Sequence, residues 1–232
     1  MSRAKEVAGR RGAQFIEDGM TVGLGTGSTV YFTLLELAVR IRAEKLSLRG
    51  VPTSLDTERK ARELEIPLVG LADVASIDVT IDGADEIDAG FHMIKGGGGA
   101  LLREKVVASV SKKEVIVADR SKVVERLGAR FLLPIEVVPF ARPAVARRLQ
   151  DLGATTHVRV RDGGEVYFTD NGNEVLDCKF AGGIPDPADL ESRLNGIPGI
   201  VANGLFVGLA QVLVLGGDDG SVEIRERGQR HR

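Results

Sequence analysis

The sequence predicts an α/β protein in which a mainly parallel sheet covered by helices is followed by a smaller α+β unit. The first observation is that helical and strand patterns alternate over the first 120 residues. Parallel strands need crossover connections, which helices provide, so this alternation favours a parallel sheet covered on both faces. The second observation is that the pattern changes near residue 131 to the order β-α-β-β-β-α. The third is that residues 205–215 resemble core strand material, which we expect to rejoin the first sheet.

The elements of the first part follow from apolar periodicity and from capping residues. Residues 30–44 carry apolar side chains at nearly helical spacing. Ser54 can cap the next helix, because a serine side chain accepts a hydrogen bond from the first free N–H groups of a helix. We expect helices at 2–18, 30–44, 54–64 and 101–110, and strands at 20–24, 48–53, 67–70, 77–82 and 114–119.

The elements of the second part, from residue 131 onward, follow from the same kinds of signal. Asp170-Asn-Gly-Asn173 is a strong turn signal between two strand patterns. We expect strands at 131–138, 155–161, 166–169 and 175–180, and helices at 143–152 and 187–194. The predicted domains are 1–130 with 203–232, and 131–202, and we expect the second to lie at an oligomer interface. The basic tail 225–232 is expected to be a solvated end.

Composition excludes several classes of function. The chain has 232 residues and a formal charge of −2, so a general nucleic-acid binder, which needs a basic surface, is not expected. No stretch approaches the about 20 apolar residues of a membrane span, and the N-terminus lacks a signal-peptide pattern. One cysteine cannot form a disulfide within the chain, and three dispersed histidines disfavour a zinc site. These observations predict a cytoplasmic protein with no membrane partner.

The first candidate site motif is Gly23-Leu-Gly-Thr-Gly-Ser-Thr29, between a predicted strand and a predicted helix. Glycines allow a sharp turn and close approach to a ligand, and a helix N-terminus favours an anion such as phosphate. The motif is not a P-loop, because the lysine after the last glycine is missing. It also departs from the dinucleotide fingerprint, because Ser28 occupies the sixth position and no acidic residue ends the second strand. A phosphate or sugar site is favoured over a turn without a ligand.

The second motif places four carboxylates, in Asp82-Gly-Ala-Asp-Glu-Ile-Asp88, at the end of an apolar strand. Ligands of parallel sheets bind at that end of the strands. Crowded carboxylates can retain a proton near neutral pH, which suits acid–base catalysis. Two alternatives stay open: a magnesium or calcium site, although the calcium-loop spacing is absent, and an acidic surface turn.

The third motif is Lys95 followed by four glycines, with Glu104 on the first turns of the next predicted helix. An ordered glycine run is entropically costly and often brings backbone N–H groups against a ligand. The apolar flanks FHMI and ALL argue against the alternative, a flexible linker. The loop would therefore bring a base, a cation and several N–H donors together.

These motifs together resemble the ribose-5-phosphate isomerase family of the A type. The resemblance rests on GLGTGST (23–29), DGADEID (82–88), KGGGGALLREK (95–105) and VADRSK (117–122), and continues in LPIEVVPFA (133–141), TDNGN (169–173) and NGIPGIVANGLF (195–206). It implies a Rossmann-like domain and a smaller α+β, ferredoxin-like domain. It further implies an aldose–ketose isomerase of the non-oxidative pentose phosphate pathway, without metal or cofactor, assembled as a homodimer or homotetramer.

The resemblance also implies residue roles. Glu104 would accept and return the proton that moves between adjacent carbons, Asp82 or Asp85 would assist ring opening, and Lys95 would stabilise the enediolate. The implied substrate-binding residues are Thr26, Gly27, Ser28, Thr29, Asp82, Gly83, Ala84, Asp85, Lys95, Gly96, Gly97, Gly98 and Lys122, with Lys5 on the phosphate side. Two other functions stay open: a CoA transferase, whose glutamate would act as a nucleophile, and a non-catalytic sugar-phosphate sensor.

Overall fold

The computed structural model describes residues 2–228, so the last four residues of the predicted basic tail, 229–232, lie outside the described residues. Its elements alternate as the sequence predicts. The helices are α1 (Arg3–Ala13), α2 (Ser28–Ala43), α3 (Leu55–Glu63), α4 (Leu101–Ser109), α5 (Arg142–Asp151) and α6 (Pro187–Asn195). The strands are β1 (Met20–Leu24), β2 (Leu48–Pro52), β3 (Val79–Asp82), β4 (Glu86–Ile87), β5 (Met93–Ile94), β6 (Glu114–Asp119), β7 (Leu133–Val137), β8 (Ala154–Val158), β9 (Glu174–Phe180), β10 (Ile200–Asn203), β11 (Leu205–Phe206), β12 (Val212–Gly216) and β13 (Val222–Glu226).

The described chain divides into two compact units. The first unit contains residues up to Ala84, Arg103–Lys122 and residues from Leu209 onward, and the second contains Asp85–Leu102 and Val123–Gly208. The sequence-based ranges assign residues 85–102, 123–130 and 203–208 to the first domain, whereas these residues group with the second unit. The predicted domain ranges themselves stay a prediction.

The first unit is built on a six-stranded sheet of order β13-β12-β6-β3-β1-β2. All neighbours are parallel except β12 and β13, which are antiparallel. Its core contains apolar side chains from β1, β3, β6 and β12 together with those of α1 and α2. The predicted α/β fold with a mainly parallel sheet is confirmed.

Two glycines let α1 pack closely in the first unit. A Cβ atom on Gly9 would lie 2.4 Å from the Thr29 carbonyl oxygen and 2.7 Å from the Phe32 Cβ, both on α2. A Cβ on Gly12 would lie 2.4 Å from a methyl group of Val117 on β6. Because glycine has no side chain at these two positions, α1 can lie directly on α2 and β6. This close packing brings the N-terminal turn of α1 near the start of α2.

The second unit contains a four-stranded antiparallel sheet of order β10-β7-β9-β8 and a small sheet of order β11-β5-β4. Along the chain the larger sheet and its helices follow the order β7-α5-β8-β9-α6-β10. This β-α-β-β-α-β order, with the first strand between the fourth and the third, is the ferredoxin-like arrangement. Its core contains Leu133, Ile135, Val145, Leu176 and Leu194. The smaller α+β part is therefore confirmed as ferredoxin-like.

Several predicted elements are wrong in detail. Residues 67–70 are not a strand, since only Leu68 bridges to Gly50, and residues 166–169 make isolated bridges instead of a ladder. Residues 205–215 divide into β11, which pairs with β5, and β12, which joins the parallel sheet. Four strands were not predicted: β4, β5, β10 and β13, of which the first two contain only two residues each. Arg225 and Glu226, expected in the solvated tail, belong to β13. Among residues 2–228, no helix is long and apolar enough to cross a membrane.

Candidate active site

The glycine turn after β1 is built around the carboxylate of Asp82. Asp82 is fully buried, and its Oδ1 accepts hydrogen bonds from the N–H groups of Thr26, at 3.0 Å, and Gly83, at 2.7 Å. A Cβ atom on Gly25 would lie 2.3 Å from that oxygen and 2.5 Å from the Asp82 Cα. Glycine is therefore required at position 25, because a side chain there would separate the turn from the end of β3.

Buried hydroxyl groups fix the other side of the same turn. The Thr26 hydroxyl donates to Ser54 Oγ and is hydrogen-bonded to Thr53 Oγ1, both at 2.8 Å, and the Thr57 hydroxyl donates to the Gly25 carbonyl at 2.8 Å. The sequence analysis assigned only a capping role to Ser54, and the cap is confirmed by its bond from the Thr57 N–H at 3.0 Å. The contacts of the Thr26 and Thr57 hydroxyls were not predicted. The sequence signal for them is that two strands were expected to end just before or within these segments, at residues 24 and 53, and in the structure β1 and β2 are parallel neighbours that end at the same edge of the sheet.

Gly27 and Ser28 form the start of α2. Gly27 is the N-cap and has a φ of +116°, a value that favours glycine. The first N–H groups of α2 have no partner within the helix, and this arrangement attracts anions. The Lys5 ammonium donates to the Ser28 hydroxyl at 3.1 Å. A positive charge therefore lies beside the turn, while the phosphate-side role implied for Lys5 stays a prediction.

Lys5 also lines a pocket with Lys122. The pocket has a volume of about 590 Å³, and its other charged side chains are Arg120, Asp119, Asp218 and Asp219. Lys122 follows β6 and Asp218 follows β12, so the pocket lies at the carboxyl ends of two parallel strands. The structure thus places two of the lysines predicted to bind substrate, which are 117 positions apart in the chain, on one pocket.

Glu104 lies on the buried face of α4. Only 5% of its surface is exposed, and Leu101, Val107 and Ala108 on the same helix are also buried. Residues three apart share a helix face, so Glu104 lies on the same face of α4 as Val107. Val107 packs against Val51 and Ile77. A glutamate on the apolar face of a helix is uncommon. Its placement therefore fits a functional role better than a surface charge.

Asp85 and the predicted residues Lys95–Gly98 belong to the second unit. Asp85 Oδ2 accepts from the Gly97 N–H at 2.8 Å, and a Cβ on Gly97 would lie 2.8 Å from Asp85 Oδ1. Lys95 is 2% exposed, and its ammonium lies 5.3 Å from the ring centre of Phe206. Gly96 and Gly99 have φ values of +98° and +80°, so two of the four glycines adopt the left-handed conformation. The glycine loop is thus an ordered turn, and the flexible-linker alternative is wrong.

The four carboxylates of the acidic motif have different partners. Glu86 is 1% exposed and accepts from the N–H groups of Gly128 (2.6 Å), Arg130 (2.6 Å) and Phe131 (2.8 Å). Asp88 Oδ1 accepts from Gly90 N–H at 2.8 Å and His92 N–H at 2.9 Å. Within residues 2–228, no three His, Cys, Asp or Glu side chains are grouped to hold a metal ion. Glu86 therefore has a structural role, which the sequence analysis did not predict.

Comparison with known proteins shows the family to which the chain belongs. The family model for ribose 5-phosphate isomerase A (phosphoriboisomerase A) matches residues 49–220. This chain belongs to that family. It is 47% identical to the ribose-5-phosphate isomerase A of Bacillus mycoides (strain KBAB4) in an alignment that covers 96% of this chain and 100% of that protein. It is also 48% identical to the corresponding protein of Gloeobacter violaceus (strain ATCC 29082 / PCC 7421), with 95% and 94% covered.

Solved structures of family members have the same fold. The ribose 5-phosphate isomerase of Plasmodium falciparum matches with a TM-score of 0.93 and 38% identity over 97% of this chain and 98% of that one. A D-ribose-5-phosphate isomerase in complex with phospho-erythronic acid matches with a TM-score of 0.92 and 38% identity over 96% and 97%. The family predicted from the motifs is confirmed.

The two units divide the predicted site residues between them. The first unit holds Lys5, Thr26–Thr29, Asp82–Ala84, Glu104 and Lys122, and the second holds Asp85 and Lys95–Gly98. Contacts within the first unit join the Thr26 turn to Asp82 and Lys5 to Ser28. Contacts within the second join Asp85 to the glycine loop. The chemical roles of these residues stay predictions.

Proposed function

We propose that this chain interconverts D-ribose 5-phosphate and D-ribulose 5-phosphate. The observation that carries this proposal is its relationship, over nearly its whole length, to proteins named ribose-5-phosphate isomerase A. The proposal is further supported by the buried carboxylate of Glu104 and by the glycine turns, whose backbone N–H groups are of the kind that the reaction needs. A place in the non-oxidative pentose phosphate pathway follows from that substrate pair.

The phosphate end of the substrate is assigned to the first unit. Lys5 and Lys122 line one pocket, and Lys5 contacts Ser28 at the N-terminus of α2. Two ammonium groups and free helix N–H groups are suited to a phosphate dianion. Thr26, Gly27 and Thr29 are proposed as further contacts on the same turn.

The proton transfer is assigned to Glu104. Its carboxylate removes the proton from C2 of the open-chain aldose, which leaves an enediolate with negative charge on O1. Returning that proton to C1, while O2 loses its proton and O1 gains one, produces the ketose. Reactant and product are isomers, so no electrons are gained or lost and no redox cofactor is proposed.

The enediolate needs hydrogen-bond donors that are already in position. Lys95, Gly96, Gly97 and Gly98 of the second unit are proposed as these donors and as substrate contacts. Removal of one donor of this kind typically costs about 3 kcal/mol in the barrier. Lys95 is buried, so its charge is less screened than that of a surface lysine.

Ring opening is assigned to the two aspartates that the resemblance implies. A sugar ring opens when one group removes the proton of the anomeric hydroxyl and another protonates the ring oxygen. Asp82 and Asp85 are both anchored by backbone N–H groups, at 3.0 Å and 2.8 Å respectively, which holds their carboxylates in fixed orientations. Gly83 and Ala84 are proposed as backbone contacts to the sugar.

A homodimeric or homotetrameric assembly and a cytoplasmic location are also proposed. The assembly is supported by family resemblance and by the exposed apolar side chains of the second unit, among them Phe140, which is 96% exposed. Sedimentation of the purified protein tests it, and a monomer at micromolar concentration would contradict it. The location is supported by the lone cysteine, Cys178, which leaves no disulfide to form within the chain.

The direct test is to follow ketose absorbance after addition of ribose 5-phosphate. We expect turnover by the protein treated with excess chelator, and competitive inhibition by phospho-erythronic acid, the ligand in one related structure. A loss of activity that added magnesium restores would contradict the metal-independent mechanism. Absence of ketose, or a glutamyl thioester formed from an acyl-CoA, would contradict the isomerase and favour the transferase.

A further inference from the structure

Two side chains from the segment after β8 hold the carbonyl groups of the glycine loop. Arg159 Nη1 donates to the carbonyl oxygens of Gly96, at 3.0 Å, and Gly97, at 3.1 Å. The Tyr167 hydroxyl donates to the Gly98 carbonyl at 3.2 Å. Three consecutive carbonyls of the loop therefore face these two side chains, all within the second unit.

The orientation of these carbonyls fixes the opposite N–H groups. In a trans peptide the C=O of one residue and the N–H of the next point in opposite directions, and residues 2–228 contain no cis peptide. The Gly97 N–H, opposite the Gly96 carbonyl, donates to Asp85, and the Gly99 N–H donates to Gly96. Within the described chain the Gly98 N–H has no acceptor, and Gly98 is exposed. The Gly97 carbonyl, in the same peptide group, points at Arg159, so the Gly98 N–H points away from Arg159 and is available to a ligand.

Arg159 is itself oriented by a second group. Its Nε donates to Asp177 Oδ2 at 2.9 Å and its Nη2 to Asp177 Oδ1 at 2.5 Å, and the two side chains are only 13% and 16% exposed. A bidentate pair fixes the plane of the guanidinium, which leaves Nη1 directed at the loop. Burial raises the pKa of the Tyr167 hydroxyl, so this group stays protonated and can donate at neutral pH.

The loop also fits these two side chains sterically. A Cβ atom on Gly99, which has a φ of +80°, would lie 2.2 Å from the Tyr167 hydroxyl oxygen. The guanidinium of Arg159 lies 5.8 Å from the ring centre of Tyr167. Gly99, Tyr167 and Arg159 therefore pack as one group, and this contact explains why the fourth residue of the run is also a glycine.

We propose that Arg159, held by Asp177, is a positioning residue that orients the Gly98 N–H toward the substrate by binding the carbonyls of Gly96 and Gly97. This inference rests on the proposed isomerase function. The Gly98 N–H then serves as a pre-oriented donor to the enediolate oxygen, and it needs no rearrangement when the negative charge develops. Arg159 acts only through the loop.

The test compares Arg159→Met with Arg142→Met. Arg142 is in the same unit and forms an ion pair at 3.1 Å with Glu174, which is on β9 like Asp177. The hydrogen bonds to the loop carbonyls come from Arg159 and Tyr167. We expect Arg159→Met to lower kcat about tenfold or more, short of the roughly 100-fold or larger cost of deleting a donor outright, with a KM within about threefold of the parent. Arg142→Met should keep both constants within about twofold.

Two further variants distinguish a loss of positioning from a loss of folding. Arg159→Lys keeps the charge beside Asp177, but one ammonium cannot replace the planar fork, so its kcat should lie between those of the parent and Arg159→Met. Tyr167→Phe removes only the bond to Gly98 and should cost less than Arg159→Met. If kcat falls only in variants that also lose thermal stability, or if Arg159→Met keeps the parental kcat, the inference is wrong.

Amide exchange separates this inference from the proposed function. NMR should show faster exchange of the Gly97 and Gly99 amides in Arg159→Met than in Arg142→Met, because both bonds depend on the loop conformation. Unchanged exchange would overturn the positioning role whatever the activity. A parent protein that does not convert ribose 5-phosphate, but in which Arg159→Met loosens the loop, would overturn the proposed function, and with it the catalytic purpose of the positioning.

Discussion

Glu86 should determine stability and leave the chemistry unchanged, although it lies within the acidic motif. Its Oε1 accepts from Arg130 and Phe131, and its Oε2 accepts from Gly128 at 2.6 Å. Glu86→Gln can keep the first oxygen but places an amide NH₂ against the Gly128 N–H. Loss of one charge-assisted hydrogen bond costs about 1.5–3 kcal/mol, and the repulsion between the glutamine NH₂ and the Gly128 N–H adds to this cost. We expect the free energy of unfolding to fall by about 3 kcal/mol.

For a chain of this length, 1 kcal/mol shifts Tm by about 2–4 °C, so Tm should fall by about 6–12 °C. Urea and thermal unfolding measure this, and kcat measured well below Tm should stay within about twofold of the parent. Asp88→Asn is the matched control, because both bonds of Asp88 are accepted by one oxygen that an asparagine keeps. Equal unfolding free energies for the two variants would refute the structural role of Glu86, and a large loss of kcat would show that Glu86 takes part in catalysis.

Two other substitutions test the first unit. Gly25→Ala should lower kcat/KM at least about tenfold, because its Cβ would lie 2.3 Å from Asp82 Oδ1. Gly196→Ala is the control and should be nearly neutral, because its Cβ would have no neighbour closer than 3.5 Å. Parental activity of Gly25→Ala would contradict the close contact. Lys5→Met should raise KM for ribose 5-phosphate about tenfold at nearly constant kcat, since a ground-state contact to phosphate is lost; an unchanged KM would remove Lys5 from the binding site.

The fold was predictable where one local signal was sufficient. β1 and β6 begin and end at the predicted residues, because each contains a short apolar run with clear turn residues around it. β4 and β5 were missed because two-residue strands carry no periodicity. Residues 166–169 alternate like a strand but form only isolated bridges, because strand propensity does not determine pairing.

The candidate site was predictable in its motifs but not in its internal division. Asp82 and Glu86 are four positions apart and look alike in the sequence. The donors that make Glu86 structural lie 42 to 45 residues further on, in a segment that has no motif. Arg159 contacts the glycine loop from 62 and 63 residues away, and its partner Asp177 is on β9. Such contacts depend on tertiary packing, which local pattern cannot predict.

The most direct test of the central claim is the turnover of Glu104→Gln. This substitution keeps the size of the side chain but removes the base, and a general base typically contributes about 100- to 10,000-fold to the rate. We expect kcat for ribose 5-phosphate to fall by about that factor, while phospho-erythronic acid binds within about threefold of its parental affinity. A variant that isomerises within about tenfold of the parent, a barrier change under about 1.4 kcal/mol, would show that Glu104 does not carry the proton.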